Sequence, residues 1–269
     1  MALVNSRAKS GALVRSFLAI VCLFAAVCFA QSTRTAEAKK SAKPAKAGDI
    51  TAIQHIIFII KENRSFDNYF GQYPGADGAT SGLLSTGQTM TLEHTPDQVV
   101  DMGHDWTSAL TAMDNGNMDQ FDLILYGNVN GALMTYSQLT QADIPNYYSY
   151  AQNFVLSDHT FSSLHGESFP NHLYTIAATS GGVFTVPLPL GSQKAGFNWG
   201  CDLPSDYAVR VMDDEGDISS SFPCFDFQTL ADSLEGANIS WKYYAPPQGQ
   251  QGYQFSTYDA INHIRNSPL

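Results

Sequence analysis

Basic side chains are scarce over most of this sequence. Of the 14 lysines and arginines among 269 residues, eight precede position 48, so residues 49–269 carry 24 acids and 6 bases, a formal charge of −18. A surface with that charge repels nucleic acid and adsorbs weakly to anionic membranes. Internal repeats are absent, and the one biased stretch is at residues 39–49. With 44% hydrophobic residues the chain can bury a core, which argues against general disorder.

The N-terminal apolar run is too short to cross a bilayer. Residues 17–30 give 14 positions without a charge, whereas a spanning helix needs about 20. Three basic residues precede the run: Arg7, Lys9 and Arg15. This order predicts a signal peptide over residues 1–38, with cleavage after Ala30 or Ala38, and a membrane anchor is the alternative. A Lys/Ala-rich linker follows at residues 39–49, and we expect a secreted or periplasmic protein without a stable membrane anchor.

Cysteine is rare, with four in the chain. Cys22 and Cys28 lie in the predicted signal peptide, which leaves Cys201 and Cys224. An even pair in an oxidising compartment predicts a disulfide, and two buried free thiols are the alternative. The acidic residues 213–217 between them lack the ligand spacing of an EF-hand and are typical of a solvated loop.

Helical and strand patterns alternate along the chain. Apolar runs predict strands at residues 53–60, 154–156 and 239–244, the first of them buried on both faces as in a parallel sheet. Caps, first-turn prolines and terminal glycines predict helices at residues 66–70, 103–113, 145–155, 168–179 and 227–235. This alternation predicts an α/β fold with a mostly parallel sheet sandwiched by helices.

Two polar residues follow the first predicted strand. In open α/β sheets, ligands bind beyond the carboxyl ends of the strands, and Glu62 and Asn63 stand at such an end. A carboxylate beside an amide offers two oxygen ligands to a divalent cation. The alternative is a polar pair that only hydrogen-bonds a neighbouring loop.

A second candidate site lies in residues 165–172, His-Gly-Glu-Ser-Phe-Pro-Asn-His. Ser168 is predicted at the N-cap of a helix, where free backbone N–H groups suit a phosphate and a hydroxyl can attack phosphorus. Asn171 shares the first turn and can donate to the same oxyanion. An ordinary serine cap is the alternative. No Gly-x-Ser-x-Gly element is present, so an acyl-transfer triad is not indicated.

Ordered sequence blocks resemble a known enzyme family. Residues 54–71, with the core Glu-Asn-Arg-Ser-Phe-Asp, are similar to the opening signature of the phosphoesterase family of bacterial phospholipases C and acid phosphatases. Further blocks follow in the family's order: His104 with Trp106, then residues 115–121, 158–174, 224–227 and 241–244. The resemblance covers nearly all of residues 50–269, which it implies are the N-terminal part of the catalytic domain.

The resemblance implies a fold, a reaction and a site. The fold would be alkaline-phosphatase-like, and the protein would hydrolyse phosphate mono- or diesters, acting as a phospholipase C or as an acid phosphatase. Glu62 and Asn63 would bind a divalent metal ion of unspecified identity, and Ser168 would be the nucleophile. Asn171 would hold the phosphoryl oxygen. His104 would line the site, a surface histidine on a helix being the alternative.

Several positions depart from the family's pattern. Many members have Thr at Ser168, Arg at His172 and Pro at Glu167. The family's acidic pair and several histidines have no counterpart in residues 172–269, so we expect a chain truncated at its C-terminus and inactive by itself. A secreted, non-catalytic binding protein on the same fold is the rival hypothesis. The substrate and the oligomeric state are not fixed by the sequence.

Overall fold

The computed structural model describes residues 50–192, 198–265 and 267, in two units that divide between Lys61 and Glu62. In the first unit a 3₁₀ helix, Ile50–Ala52, precedes residues 53–61, which form no helix or strand. Their apolar side chains are exposed. The buried strand predicted at residues 53–60 is therefore wrong, because such a strand needs hydrogen-bonded neighbours and covering side chains. The predicted signal peptide and linker lie outside the described residues.

The described part of the second unit contains six α-helices, and the first five of them correspond to the five predicted helices. They are α1 (Phe66–Phe70), α2 (Trp106–Met113), α3 (Pro145–Asn153), α4 (Ser168–Ala177), α5 (Leu230–Gly236) and α6 (Asn262–Arg265). Local signals explain their starts: Ser65 accepts from Asn68 N at 3.2 Å, and Thr229 forms a capping box with Asp232. Short 3₁₀ helices occupy Asp114–Gly116, Tyr253–Phe255 and Thr257–Ala260.

The strands are short and mostly antiparallel. They are β1 (Ser81–Leu83), β2 (Thr89–Thr91), β3 (Glu93–His94), β4 (Asn128–Val129), β5 (Ala132–Leu133), β6 (Ser137–Gln138), β7 (Leu188–Pro189), β8 (Tyr207–Met212) and β9 (Ile218–Ser221). Pairs β1–β2 and β4–β5 and the three-stranded sheet β7–β8–β9 are antiparallel, while β3–β6 is parallel. The fold is mixed α/β, and the prediction of a mostly parallel sheet is wrong for the described residues.

Two further predicted strands do not form. Residues 154–156 and 239–244 belong to no strand. Val155 is 95% exposed and Tyr244 is 87% exposed. An apolar run becomes a strand only where a neighbour satisfies its backbone groups, and no described residue pairs with either segment as a strand.

Helix α4 lies against the core of this unit. Phe169, Leu173 and Ile176 recur at helical spacing and are buried. They pack in one cluster with Val183, Trp199, Val209, Ala231, Ala260, Ile261 and Ile264. Burial of about three large apolar side chains contributes several kcal/mol, at roughly 2 kcal/mol each. This packing fixes the rotation of α4 and so decides where its polar residues point.

A disulfide lies beside the core. Cys201 and Cys224 are bonded, with their Cα atoms 4.6 Å apart. Backbone hydrogen bonds next to each cysteine connect this disulfide to residues 259 and 260. Cys201 N donates to Asp259 O at 3.0 Å, and Phe225 N donates to Ala260 O at 2.8 Å. The acidic residues 213–217 form the exposed turn between β8 and β9. Among the described residues, no helix has the length and apolar character to cross a membrane.

Candidate active site

The first turn of α4 is the centre of the candidate site. The helix begins at Ser168, and Glu167 holds the N-cap position at φ −72° and ψ 165°. Ser168, which the sequence predicted as the N-cap, is therefore the first helical residue, one position after the observed cap. Its neighbours Phe169 and Pro170 are buried. Because those neighbours anchor the turn, the half-buried Ser168 side chain has a fixed direction.

Glu62 joins two residues of α4. Its Oε2 lies 2.9 Å from Nε2 of His172, and the Ser168 side chain is near enough to lower the pKa of its carboxyl. Ser168 and His172 are four residues apart and so share one helix face. The hydrogen bond from His172 is the largest influence on the pKa of Glu62 and, with Ser168 and the nearby His104, holds the pKa of the Glu62 carboxyl below its usual range despite partial burial. An ionised carboxylate only accepts hydrogen bonds, so the Ser168 hydroxyl is the group that can donate to Glu62.

Asn63 has an unusual backbone conformation. Its φ is 73°, in the left-handed region that asparagine tolerates better than most residues. The side chain is exposed. The turn at Asn63 follows Glu62 directly and changes the chain direction before α1.

His104 lies on the loop before α2. The helix starts at Trp106 with Asp105 as its N-cap, so the expected helical position of His104 is wrong by two residues. Its Nδ1 donates to Met102 O at 2.7 Å and lies 3.6 Å from Asp101 Oδ1. The imidazole influences the pKa of both Glu62 and Glu167. His104 therefore lies near both carboxylates, with a largely exposed side chain, and its role in lining the site stays a prediction.

Glu167 places a second carboxylate beside the nucleophile candidate. Its side chain does not cap α4 but accepts a hydrogen bond from Val186 N. Burial raises the pKa of the Glu167 carboxyl, and the like charge of Asp105 adds to this increase. The Val186 amide and His104 act in the opposite direction. Glu167 is thus a partly buried acid next to Ser168.

Asn171 faces the loop that enters α4. Its Nδ2 donates to Leu164 O at 3.0 Å and to Glu167 O at 3.1 Å, and its Oδ1 accepts from Leu164 N at 3.3 Å. Both amide hydrogens are therefore engaged with the chain's own carbonyls. In this arrangement Asn171 fixes the loop that presents Ser168, and a direct bond from Asn171 to a phosphoryl oxygen stays a prediction.

Aromatic contacts hold this loop against α2. The rings of Trp106 and His165 are 4.0 Å apart with an interplanar angle of 32°, and Phe184 lies 5.0 Å from Trp106. Gly166 has φ 129°, and a Cβ there would lie 3.5 Å from Trp106 Cα. The loop thus approaches α2 closely, which brings His104 to the start of α4.

Sequence reasoning gave no role to His172 and treated Glu167 only as a departure from the family pattern. The spacing of Ser168 and His172 was a usable signal, because residues four apart in a helix share a face. The partner of that face, Glu62, is more than 100 positions away, and no local pattern indicates such a contact.

The candidate metal ligands do not complete a coordination sphere. Across residues 50–192 and 198–265, no group of three or more His, Cys, Asp or Glu side chains is placed to hold a metal ion. Glu62 is hydrogen-bonded to His172. Asn63 would add one amide oxygen. These residues supply part of a cation site at most, so no reaction step is derived through a metal.

Comparison with known proteins agrees with the resemblance seen in the sequence. The model of the phosphoesterase family matches residues 53–267. The chain is 25% identical over 232 residues to hemolytic phospholipase C of Pseudomonas aeruginosa, covering 79% of this chain and 28% of that protein. Non-hemolytic phospholipase C of Burkholderia pseudomallei is 26% identical over 222 residues, covering 74% of this chain and 27% of that protein.

A third relative is similar over the same part of the chain. Phospholipase C B of Mycobacterium tuberculosis is 27% identical over 234 residues, covering 73% of this chain and 39% of that protein. The chain thus spans between 27% and 39% of the length of these curated relatives.

Proposed function

The chain belongs to the phosphoesterase family, and we propose that the protein containing it hydrolyses phosphate esters with Ser168 as the nucleophile. The observation that carries the proposal is the place of Ser168 at the start of α4, close enough to Glu62 to lower the pKa of its carboxyl. A serine that only capped its helix would accept from a backbone N–H. Ser168 instead follows the cap, and a hydroxyl that donates to the Glu62 carboxylate keeps its oxygen lone pairs for attack on phosphorus.

The reaction has two steps. Ser168 Oγ bonds to phosphorus while the bond from phosphorus to the ester oxygen breaks, and the departing alcohol takes up a proton. Water then attacks the phosphoserine, which restores the hydroxyl and releases the phosphate product. Serine is a weak nucleophile at its ordinary pKa and needs activation. Glu62 is held ionised by its lowered pKa, so its part is to orient the hydroxyl more than to remove its proton.

A divalent cation is a further element of the proposal. Glu62 and Asn63 would contribute oxygen ligands, and residues outside the described part would complete the sphere. A cation there would screen phosphate charge and acidify a bound hydroxyl. Its identity is open, and removal of divalent ions by a chelator should abolish turnover if the cation takes part.

The substrate class follows the relatives. Three similar proteins carry the name phospholipase C, which supports a phosphodiester, including a phospholipid, as substrate. Phosphomonoesters, the substrates of an acid phosphatase, are the second candidate. The formal charge of −18 over residues 49–269 supports neither nucleic-acid binding nor strong adsorption to anionic lipid.

Fold and location complete the proposal. We propose that residues 50–269 form the N-terminal part of an alkaline-phosphatase-like catalytic domain, and that residues 1–38 and 39–49 are a signal peptide and a linker. Export to the periplasm or medium should leave a mature terminus near Gln31 or Lys39, which N-terminal sequencing of the secreted protein would determine.

The central test is substitution of Ser168 in the full-length protein. Ser168→Ala should reduce turnover of p-nitrophenyl phosphate and p-nitrophenylphosphorylcholine by at least about a thousandfold, equivalent to about 4 kcal/mol of barrier. Ser168→Thr should retain part of the activity because it keeps the hydroxyl. Ser157→Ala, at an exposed serine in the preceding loop, is the control and should keep parental turnover. Near-normal turnover by Ser168→Ala would exclude Ser168 as the nucleophile.

A further inference from the structure

Two carboxylates lie close to Ser168. Glu62 is near enough for Ser168 to lower the pKa of its carboxyl, and Glu167 precedes Ser168 in the chain at the N-cap of α4. The Glu167 side chain is held in place because one of its oxygens accepts from Val186 N. Its negative charge is thus held at the start of α4, one residue from Ser168.

The surroundings of Glu167 only partly neutralise that charge. On the loop before α2, Asp105 raises the pKa of the Glu167 carboxyl and His104 lowers it. The Val186 amide, in the segment before β7, also lowers this pKa. His104 is shared between two carboxylates, because it also lowers the pKa of Glu62. Partial burial weakens solvent screening, so the field of Glu167 reaches further than that of a surface acid.

Phosphate esters differ in how strongly they respond to such a field. A phosphomonoester loses its second proton with a pKa of about 6, so it is a dianion at neutral pH. A phosphodiester has one ionisable oxygen and stays a monoanion. Repulsion by a fixed carboxylate is proportional to the charge that it meets, so the monoester is repelled about twice as strongly.

We propose that Glu167 is a specificity-determining residue that disfavours phosphomonoesters and so directs the site toward phosphodiesters. The inference rests on the proposed hydrolysis at Ser168. A neutral residue at this position would not make the distinction, and the sequence pattern that the chain resembles commonly has proline there. Glu167 acts through charge alone, and the bond-making steps are unchanged.

The test compares two esters in one enzyme. In the full-length protein at pH 7.5, kcat/KM is measured for p-nitrophenyl phosphate and for bis(p-nitrophenyl) phosphate. Glu167→Gln removes the charge while its amide oxygen can still accept from Val186 N. The ratio of monoester to diester kcat/KM should rise by about tenfold. Glu215→Gln, at an exposed acid in the turn between β8 and β9, should leave the ratio at the parental value.

A second measurement separates charge from shape. At about pH 5 the monoester regains a proton, so the ratios of the parent and of Glu167→Gln should converge. A ratio in Glu167→Gln that equals the parental ratio at pH 7.5 overturns the inference while leaving Ser168 as nucleophile. If the parent cleaves neither ester, the proposed function itself fails, and this inference falls with it.

A second variant at position 167 tests the inference if Glu167→Gln is inactive. If Glu167→Gln loses turnover of both esters, the same ratio is measured for Glu167→Pro, whose ring suits the φ of −72° at this position. A rise of about tenfold in that ratio supports the inference, and an unchanged ratio overturns it.

Discussion

The imidazole Nε2 of His172 lies 2.9 Å from the carboxylate Oε2 of Glu62. Both side chains are mostly shielded, at 17% and 31% exposed. His172 also stacks on Phe255 at 5.4 Å and meets Trp199 edge to face at 6.1 Å. The contact therefore links Glu62 to the aromatic core beside α4.

This contact predicts a pH-dependent contribution to stability. The pKa of Glu62 is lowered in the folded protein, so the stabilisation is present above the ordinary value of 4.5 and is lost as the pH falls through the lowered pKa. His172→Phe keeps an aromatic ring for Phe255 but removes the hydrogen bond. We expect it to cost about 1 kcal/mol at neutral pH and progressively less as the pH falls through the lowered pKa of Glu62, because the carboxyl then loses its charge.

Thermal unfolding of the parent and His172→Phe across that pH range measures the difference. A matched variant is Glu62→Gln, which should remove most of the same pH dependence while retaining an acceptor for the Ser168 hydroxyl. A destabilisation by His172→Phe that is equal at neutral and acid pH would mean that ring packing, and not the Glu62 contact, carries the effect.

The disulfide gives a second prediction. Cys201 and Cys224 are separated by 23 positions, and closing a loop of that size in the unfolded chain is worth about 3 kcal/mol in the chain-entropy model. Replacing both cysteines by alanine should therefore lower the melting temperature markedly. Peptide mass mapping of the secreted protein without reduction should find the linked pair. Two thiols that alkylate in the native protein would contradict the bond.

His263 gives a third prediction. Its Nδ1 contacts Asp226 Oδ1, and its Nε2 lies 2.9 Å from Asp232 Oδ1, which joins α6 to the capping box of α5. The hydrogen bond with Asp226 is the largest cause that raises the pKa of His263 above its ordinary 6.5, and Asp232 adds to it. The contacts of protonated His263 stabilise the fold fully below pH 6.5, and this contribution is lost as the pH rises through the folded pKa.

An NMR titration of the ring protons of His263 should have its midpoint above 6.5. Asp226→Asn removes the largest cause of the raised pKa of His263, so the titration midpoint should move down by a measurable amount while the fold persists. An unchanged midpoint in Asp226→Asn would show that Asp232 alone perturbs the histidine. The group is well exposed, so the effect on total stability should be small.

Local signals predicted the helices well but not the sheet. Pro145 at the first position of α3 and Ser65 capping α1 act within one turn, so the sequence alone indicates them. Residues 53–60, 154–156 and 239–244 have the apolar character of strands, yet they pair with no described residue. Strand formation depends on partners that lie far away in sequence, and composition does not reveal whether these are present.

In the candidate site too, the residues with local signals were predicted and the contacts between distant segments were not. The start of α4 placed Ser168 and Asn171 on one turn to within a residue, because a helix start has a short-range signature. The contact between Glu62 and His172 spans 110 positions. The bond from Val186 N to Glu167 likewise joins two separate segments. Such contacts result from packing of the whole unit, which a local pattern does not encode.

The last prediction concerns Asn171, whose side chain makes three hydrogen bonds to the loop before α4. Asn171→Ala would leave the carbonyls of Leu164 and Glu167 and the amide of Leu164 without these partners. The site is partly buried, so we expect a loss of about 2 kcal/mol in the free energy of unfolding. Turnover should fall as well, because the loop that presents Ser168 would become less ordered.

A stability measurement distinguishes the role of Asn171 in fixing the loop from a direct contact with the phosphoryl oxygen. A residue that only donates to a phosphoryl oxygen could be removed with a loss of about a hundredfold or more in kcat and little change in unfolding free energy. Thr175→Ala is the control, since its hydroxyl bonds only within α4, to His172 O at 2.6 Å, on the exposed side. Urea denaturation and kcat/KM for p-nitrophenyl phosphate should show a joint loss in Asn171→Ala and neither loss in Thr175→Ala. If Asn171→Ala is as stable as the parent but has lost turnover, its amide reaches the substrate in the working enzyme, and the inward hydrogen bonds described here open when the phosphate binds.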